Sequence, residues 1–201
     1  VASRGLGDVY KRQALDSVIQ GLNNSKAVGK VAVAGATAVS NLMIDIRQKL
    51  TELANSSITA SQRTIIQRDF TELVSQAANF VSNATYNGFA LLTSGAATVN
   101  TLANLAGGQL SLTAQGNVKL FINSLAGATT TTAANAQSVI VGQFNDLETS
   151  VAQALGTLGA EVRALDLQTG FLEELRDTTS VGLGNIVAVS YTHLRAHETL
   201  R

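Results

Sequence analysis

The stretch LTELANSSITASQRTIIQRDFTELVSQAANFVSNATYNGFALL, residues 50–92, decides the fold. It opens on the end of an apolar-periodic segment, Leu50 and Leu53, and breaks at Asn55-Ser56-Ser57. Three polar residues that bond their own backbone in non-helical conformations argue for a break. Thr59 or Ser61 then stands where a helix N-cap belongs. Ile66, Phe70, Leu73, Ala77, Phe80 and Ala84 follow at steps of three and four, which places them on one helical face. Asn87-Gly88 is a turn dipeptide and predicts that the helix stops near Tyr86.

Upstream, residues 14–54 read as another helix. Leu15, Val18 and Leu22 start its apolar stripe, and Val39, Leu42, Ile46, Leu50 and Leu53 finish it. The intervening KAVGKVAVAGATAVS (26–40) is small and β-branched, so helix is less strongly encoded there. Gly35 and its neighbours superficially resemble a dinucleotide loop. That mechanism needs further glycines where backbone meets pyrophosphate, and here Ala36, Thr37 and Ala38 follow. A small-residue face for close helix packing is the better reading. The most apolar part, 27–46, is interrupted by Lys30, Asn41 and Asp45, so no membrane span is expected.

Downstream, residues 88–128 change character. Short apolar runs are punctuated by Gly and Asn, LSLTA alternates at period two, and Gly107-Gly108 reads as a hairpin turn. A small β region is expected there. From about 133 to 180 the helical period returns: Ile140, Phe144, Leu147, Val151, Ala154, Leu158, Val162, Leu165, Leu172 and Leu175. Four glycines weaken this helix by about 1 kcal/mol each relative to Ala, so it needs a partner surface. The fold class expected is mainly α, an elongated antiparallel helical bundle with a β-hairpin. Its core is expected at Leu50, Leu53, Ile66, Phe70, Leu73, Phe80, Phe144, Leu147, Val151, Leu158, Val162 and Leu165, with Asn87 and Gly88 as the turn.

Composition limits the chemistry. The 201 residues are 45% hydrophobic and 14% charged, enough apolar content for a core. Fourteen basic and fourteen acidic residues balance to zero, without the basic face that a nucleic-acid binder needs. There is no Cys, which removes disulfides, thiolate chemistry and Cys zinc sites. The absence of Pro suits long unbroken helices. Both His, His193 and His197, lie at the C-terminal end, so no nucleophile–base–orienter set can be assembled elsewhere. The carboxylate pairs Asp69/Glu72, Asp146/Glu148 and Glu173/Glu174 have spacings that suit solvated helix faces rather than a convergent acid–base pocket. No enzyme activity, cofactor or metal is expected. Residues 1–13 and 188–201 hold both His and five of the fourteen basic residues. They resemble translated adapter sequence and are read as non-native tails. The organisation expected is 14–87 N-side helices, 88–128 small β region and 129–187 C-side helix.

With these elements in place, the chain resembles bacterial flagellin, most of all the short alphaproteobacterial type. The resemblance is carried by Glu52-Leu53-Ala54 and Tyr86-Asn87-Gly88 within 50–92. On the C-side it is carried by LGTLGAEVRALDLQTGFLEELRDTTSVGLGNIV (155–187), with Leu158-Gly159-Ala160 and Gly184-Asn185-Ile186-Val187. It implies a truncated piece of a filament subunit, exported unfolded and self-assembling by head-to-tail contacts that do not close. Other flagellin subunits, an export chaperone and hook-associated proteins are the implied partners, at an extracellular flagellum. The family's outermost terminal segments have no counterpart here, so the chain alone is expected to be monomeric; long polymers in sedimentation would contradict that. The resemblance further implies receptor sensing through residues 47–54. Lys49 and Thr51 stand where many recognised members carry Arg, so weak sensing is expected. A hook–filament junction protein shares the implied fold and is the alternative; an unrelated helical interaction module is a further one.

Overall fold

The computed structural model describes the backbone of residues 2–198, and side chains at residue 7 and over 9–182. His193, His197 and the segment Gly184–Val187 lie outside the described side chains. Helix α1 spans Ala2–Leu53, α2 Ala60–Asn83, strands β1 Val99–Leu102 and β2 Gln109–Leu112, α3 Asn117–Ala126 and α4 Ala133–Val139. A π-helical turn over Ile140–Phe144 then leads into α5, Asn145–Glu198. The protein is thus mainly α, with one two-stranded antiparallel hairpin. Residues 26–40, weakly encoded as helix, are helical throughout.

The chain forms two compact units. One comprises residues 26–99 and 111–162; the other comprises 1–25, 100–110 and 163–201. In the larger unit, α1 buries Val28, Ala32, Ala36, Val39, Met43, Ile46, Leu50 and Leu53. Their steps of four and three keep one seam facing the same partners, as in a coiled coil. The α5 side contributes Phe144, Leu147, Val151, Ala154 and Leu158. The two helices run in opposite directions there: Arg47 reaches Glu148 at 3.4 Å, and Gly29 faces Val162. By length and composition α1 also contains an apolar window long enough to cross a bilayer, which the sequence reading did not allow. Its apolar face packs instead into this protein core.

Close approach explains the small-residue stretch. A Cβ on Gly29 would lie 2.5 Å from Val162 Cγ2, and one on Gly35 would lie 2.5 Å from Ala84 Cβ. Local signals set the α1–α2 connection. Asn55 Oδ1 accepts from the Ser57 backbone N–H at 2.9 Å. Thr59 and Gln62 form a reciprocal capping box. Arg63 donates to the Leu53 and Asn55 carbonyls at 2.6 and 3.1 Å, satisfying groups the end of α1 leaves open.

Three elements differ from the sequence reading. Helix α2 ends at Asn83, three residues before Tyr86. Asn87 and Gly88 both have positive φ, 49° and 81°, and Tyr86 and Phe89 pair across them. That tight turn requires extended flanks, so the helix stops earlier. Second, 88–128 is not only β: α3 lies within it, burying Val118, Ile122 and Leu125 at steps of four and three. Third, the π turn was not anticipated. Val139 and Phe144 are both buried, five residues apart, and the extra residue is accommodated by the wider turn.

The smaller unit buries Leu15, Val18, Ile19 and Leu22 of α1 with Leu165, Thr169 and Leu172 of α5. The hairpin loop joins this unit through polar contacts. The Ser25 and Thr101 hydroxyls hydrogen-bond to one another, and Gln168 Nε2 donates to the Ala103 carbonyl at 2.6 Å. Asn104 Oδ1 accepts the backbone N–H groups of Ala106 and Gly108, both at 2.9 Å, where Gly107 takes a positive φ of 91°.

Candidate functional site

The described side chains offer packing surfaces rather than a reaction centre. Among them no group of three or more His, Cys, Asp or Glu is placed to hold a metal. Asp69 and Glu148 each face a cation: Lys49 Nζ to Asp69 at 3.4 Å, and Arg47 to Glu148 at 3.4 Å. Arg47 also lies over the Phe144 ring, 5.5 Å from its centroid. Glu173 and Glu174 are exposed. The carboxylate pairs therefore do not converge in a cleft.

Two cations have pKa values displaced from their ordinary values. Lys49 is raised, first by its hydrogen bond to Glu52 and then by Asp69, against partial desolvation. Arg176 is raised chiefly by Asp177, with Asp16 assisting at 3.5 Å. Both shifts come first from a carboxylate on the same helix, Glu52 and Asp177, with Asp69 and Asp16 adding contacts from another helix. Lys49 and Arg176 each line a shallow surface hollow, beside Asp69 and Asp16 respectively.

Each residue singled out as core has a definite place. Leu50, Leu53, Phe70, Phe144, Leu147, Val151, Leu158 and Leu165 are buried. Ile66, Leu73, Phe80 and Val162 are only half-buried. In α2 the inward face is Phe70, Val74, Ala77 and Val81. The stripe read through Ile66, Leu73 and Phe80 therefore lies partly on the flank. Both stripes are apolar at helical spacing, and only the packing of α2 selects between them. Val162 sits at the edge of the larger unit, against Gly29. Asn87 and Gly88 form the turn described above.

One surface was missed by sequence reasoning. Leu175 was assigned to the core stripe, yet it is 43% exposed; Leu167 and Phe171, at 70% and 59%, were not singled out. The signal was present: 167, 171 and 175 are spaced by four, a second apolar stripe on the side of α5 opposite Leu165, Thr169 and Leu172. On α1, Ile44 is 72% exposed and lines two adjoining open hollows.

Long helices with one pinned two-stranded hairpin define a mainly α class of fold. The fold overlays a Bacillus cereus flagellin with a TM-score of 0.67 at 16% identity, covering 76% of this chain and 88% of that one. It overlays a Vibrio parahaemolyticus structure assigned as a flagellar hook-associated protein at 0.72 and 14% identity, over 90% and 95% of the two chains. No family model matches the chain.

Sequence carries the likeness further. The chain is 25% identical over 174 residues to flagellin FljM of Caulobacter vibrioides, covering 87% of this chain and 63% of the relative. It is 29% identical over 154 residues to flagellin FljJ of the same organism, covering 75% and 55%. The chain thus spans under two thirds of the length of these relatives. Sequence and fold together fit a flagellin-type protein.

Proposed function

We propose that this chain supplies the helical wall of a bacterial flagellar filament subunit, at an extracellular appendage, in contact with further copies of itself. The observation that carries the reading is the sequence similarity to flagellins over 87% of the chain, joined to a flagellin-like fold. The physical logic agrees. Polymer subunits need stiff elements and outward contact surfaces rather than pockets, and non-closing heterologous contacts build an open helix. No enzymatic step is part of this reading. Hook-associated proteins and an export chaperone are its further partners. The hook–filament junction reading shares the fold, as the Vibrio structure illustrates; the sequence matches favour the filament subunit.

The test is a chimera. The matching region of Caulobacter flagellin FljM is replaced by this sequence and expressed in cells lacking their own flagellins. Filaments in electron micrographs and a restored swimming halo are expected. Secreted chimera that never polymerises would overturn the reading. Receptor sensing through residues 47–54 is proposed to be weak, since Lys49 is engaged with Glu52 and Asp69. A strong reporter-cell response to low doses of the purified chain would contradict that.

A further inference from the structure

Asn87-Gly88 is the one Asn-Gly pair in the sequence. A glycine after asparagine matters for covalent chemistry as well as for turn geometry. Without a Cβ, the next backbone nitrogen approaches the asparagine side chain unhindered. Both residues are exposed, and a Cβ placed on Gly88 would meet nothing within 4 Å. The Gly88 N–H and the Asn87 side-chain amide make no hydrogen bond among the described residues. Nucleophile and electrophile are thus adjacent, solvated and uncommitted.

Other loop asparagines are held. Asn55 Oδ1 accepts the Ser57 backbone N–H and hydroxyl at 2.9 and 2.6 Å, and Ser56 follows it. Asn104 Oδ1 accepts two backbone N–H groups, and Leu105 follows it. After Asn83, at the end of α2, the Ala84 N–H donates to the Phe80 and Val81 carbonyls at 3.1 and 3.3 Å. Asparagines inside α1, such as Asn24 and Asn41, precede an N–H committed to the helix.

We propose that Asn87-Gly88 is a site of self-modification by intramolecular deamidation, with water as the only co-reactant. The Gly88 backbone nitrogen attacks Asn87 Cγ, and that N–C bond closes a five-membered imide. The Cγ–Nδ2 bond breaks, and the amide nitrogen leaves as ammonia with the proton from Gly88. Water then opens the imide at either carbonyl, giving Asp or isoaspartate, and nothing is oxidised or reduced. The turn gates the first step. Ring closure requires rotation about the Asn87 Cα–C bond, out of a turn with φ of 49° and 81°. Only the Tyr86–Phe89 pair, at 3.0 and 2.9 Å, opposes that opening, and no helix has to unwind. Both products add a negative charge. Isoaspartate also adds a backbone carbon, which a two-residue turn does not accommodate, so the Tyr86–Phe89 pair is lost. The chemistry is independent of the filament reading.

The purified chain is incubated at mildly alkaline pH, native and unfolded in urea, and sampled over time. Peptide mass spectrometry reads the exchange of NH for O at each asparagine, and enzymatic carboxyl methylation reads isoaspartate. In the native chain Asn87 is expected to convert about tenfold ahead of Asn55 and Asn104, the ratio for a barrier lower by about 1.4 kcal/mol. Asn87→Gln, whose ring would have six members, is expected to remove most of the early isoaspartate. Conversion at Asn87 no faster than at Asn55 or Asn104 overturns the proposal. So does an Asn87 that stays intact in the native chain while the urea-unfolded chain converts, or an isoaspartate signal that persists in Asn87→Gln.

Discussion

Gly35 shows how one missing methyl group decides packing. A Cβ there would meet Ala84 Cβ at 2.5 Å, with Leu92 Cδ1 at 3.1 Å beyond it. Gly35→Ala gains helix propensity of about 1 kcal/mol and overpacks a rigid contact costing about 1–3 kcal/mol, so net destabilisation is expected. Gly156 has nothing within 4 Å of the same position. Gly156→Ala is therefore expected to stabilise, by up to about 1 kcal/mol. Urea unfolding of the two variants checks both signs. Lys49 gives a pH prediction. Its folded pKa is raised above the ordinary 10.5, so its contribution is full below that value and lost as pH rises through the raised one. Lys49→Met should lower Tm at neutral pH, and the gap to the wild-type protein should close in strong alkali; a gap unchanged across that window would remove the ion pairs from the account. At this scale the sequence was readable for caps and turns, where Thr59 and Asn87 act on their own neighbours. It was silent on Lys49, whose partner Asp69 is twenty residues away on another helix.

Elements were legible where one periodic face dominates. The α5 heptads from Phe144 to Leu158 and the α1 seam could be read by spacing alone, because a single stripe satisfies the helix. Two stripes compete in α2, and between 165 and 175 of α5, and propensity cannot say which one the partner covers. Helix α3 was hidden because ten residues between glycines carry too few turns to establish a period. The π turn had a signal in the five-residue step from Val139 to Phe144. Val141, 77% exposed, sits inside that turn. Deleting it converts the step to four and allows a regular α-turn with both anchors still buried. The deletion is expected to leave unfolding free energy within about 0.5 kcal/mol or raise it. Deleting Ala154 instead rotates buried residues outward and should unfold the larger unit. Circular dichroism melts separate the two; a Val141 deletion as damaging as the Ala154 deletion would show that the π turn is required for the fold. Phe144→Ala should cost about 3–5 kcal/mol, because the ring fills the core beneath Arg47.

For the whole molecule, function was legible mainly by exclusion and by likeness. The missing Cys and sparse His removed most catalytic schemes, and the described carboxylates, placed against cations or solvent, add no cleft. The outward stripe of α5 was marked by its four-residue spacing, but which of two apolar stripes faces outward is a property of packing and not of spacing. Cryo-electron microscopy of filaments built from the FljM chimera tests the central claim most directly. The account predicts that 26–53 and 144–162 lie antiparallel in the filament wall with the seam residues buried. Filaments in which these two segments separate, or a chimera that yields none, would contradict it.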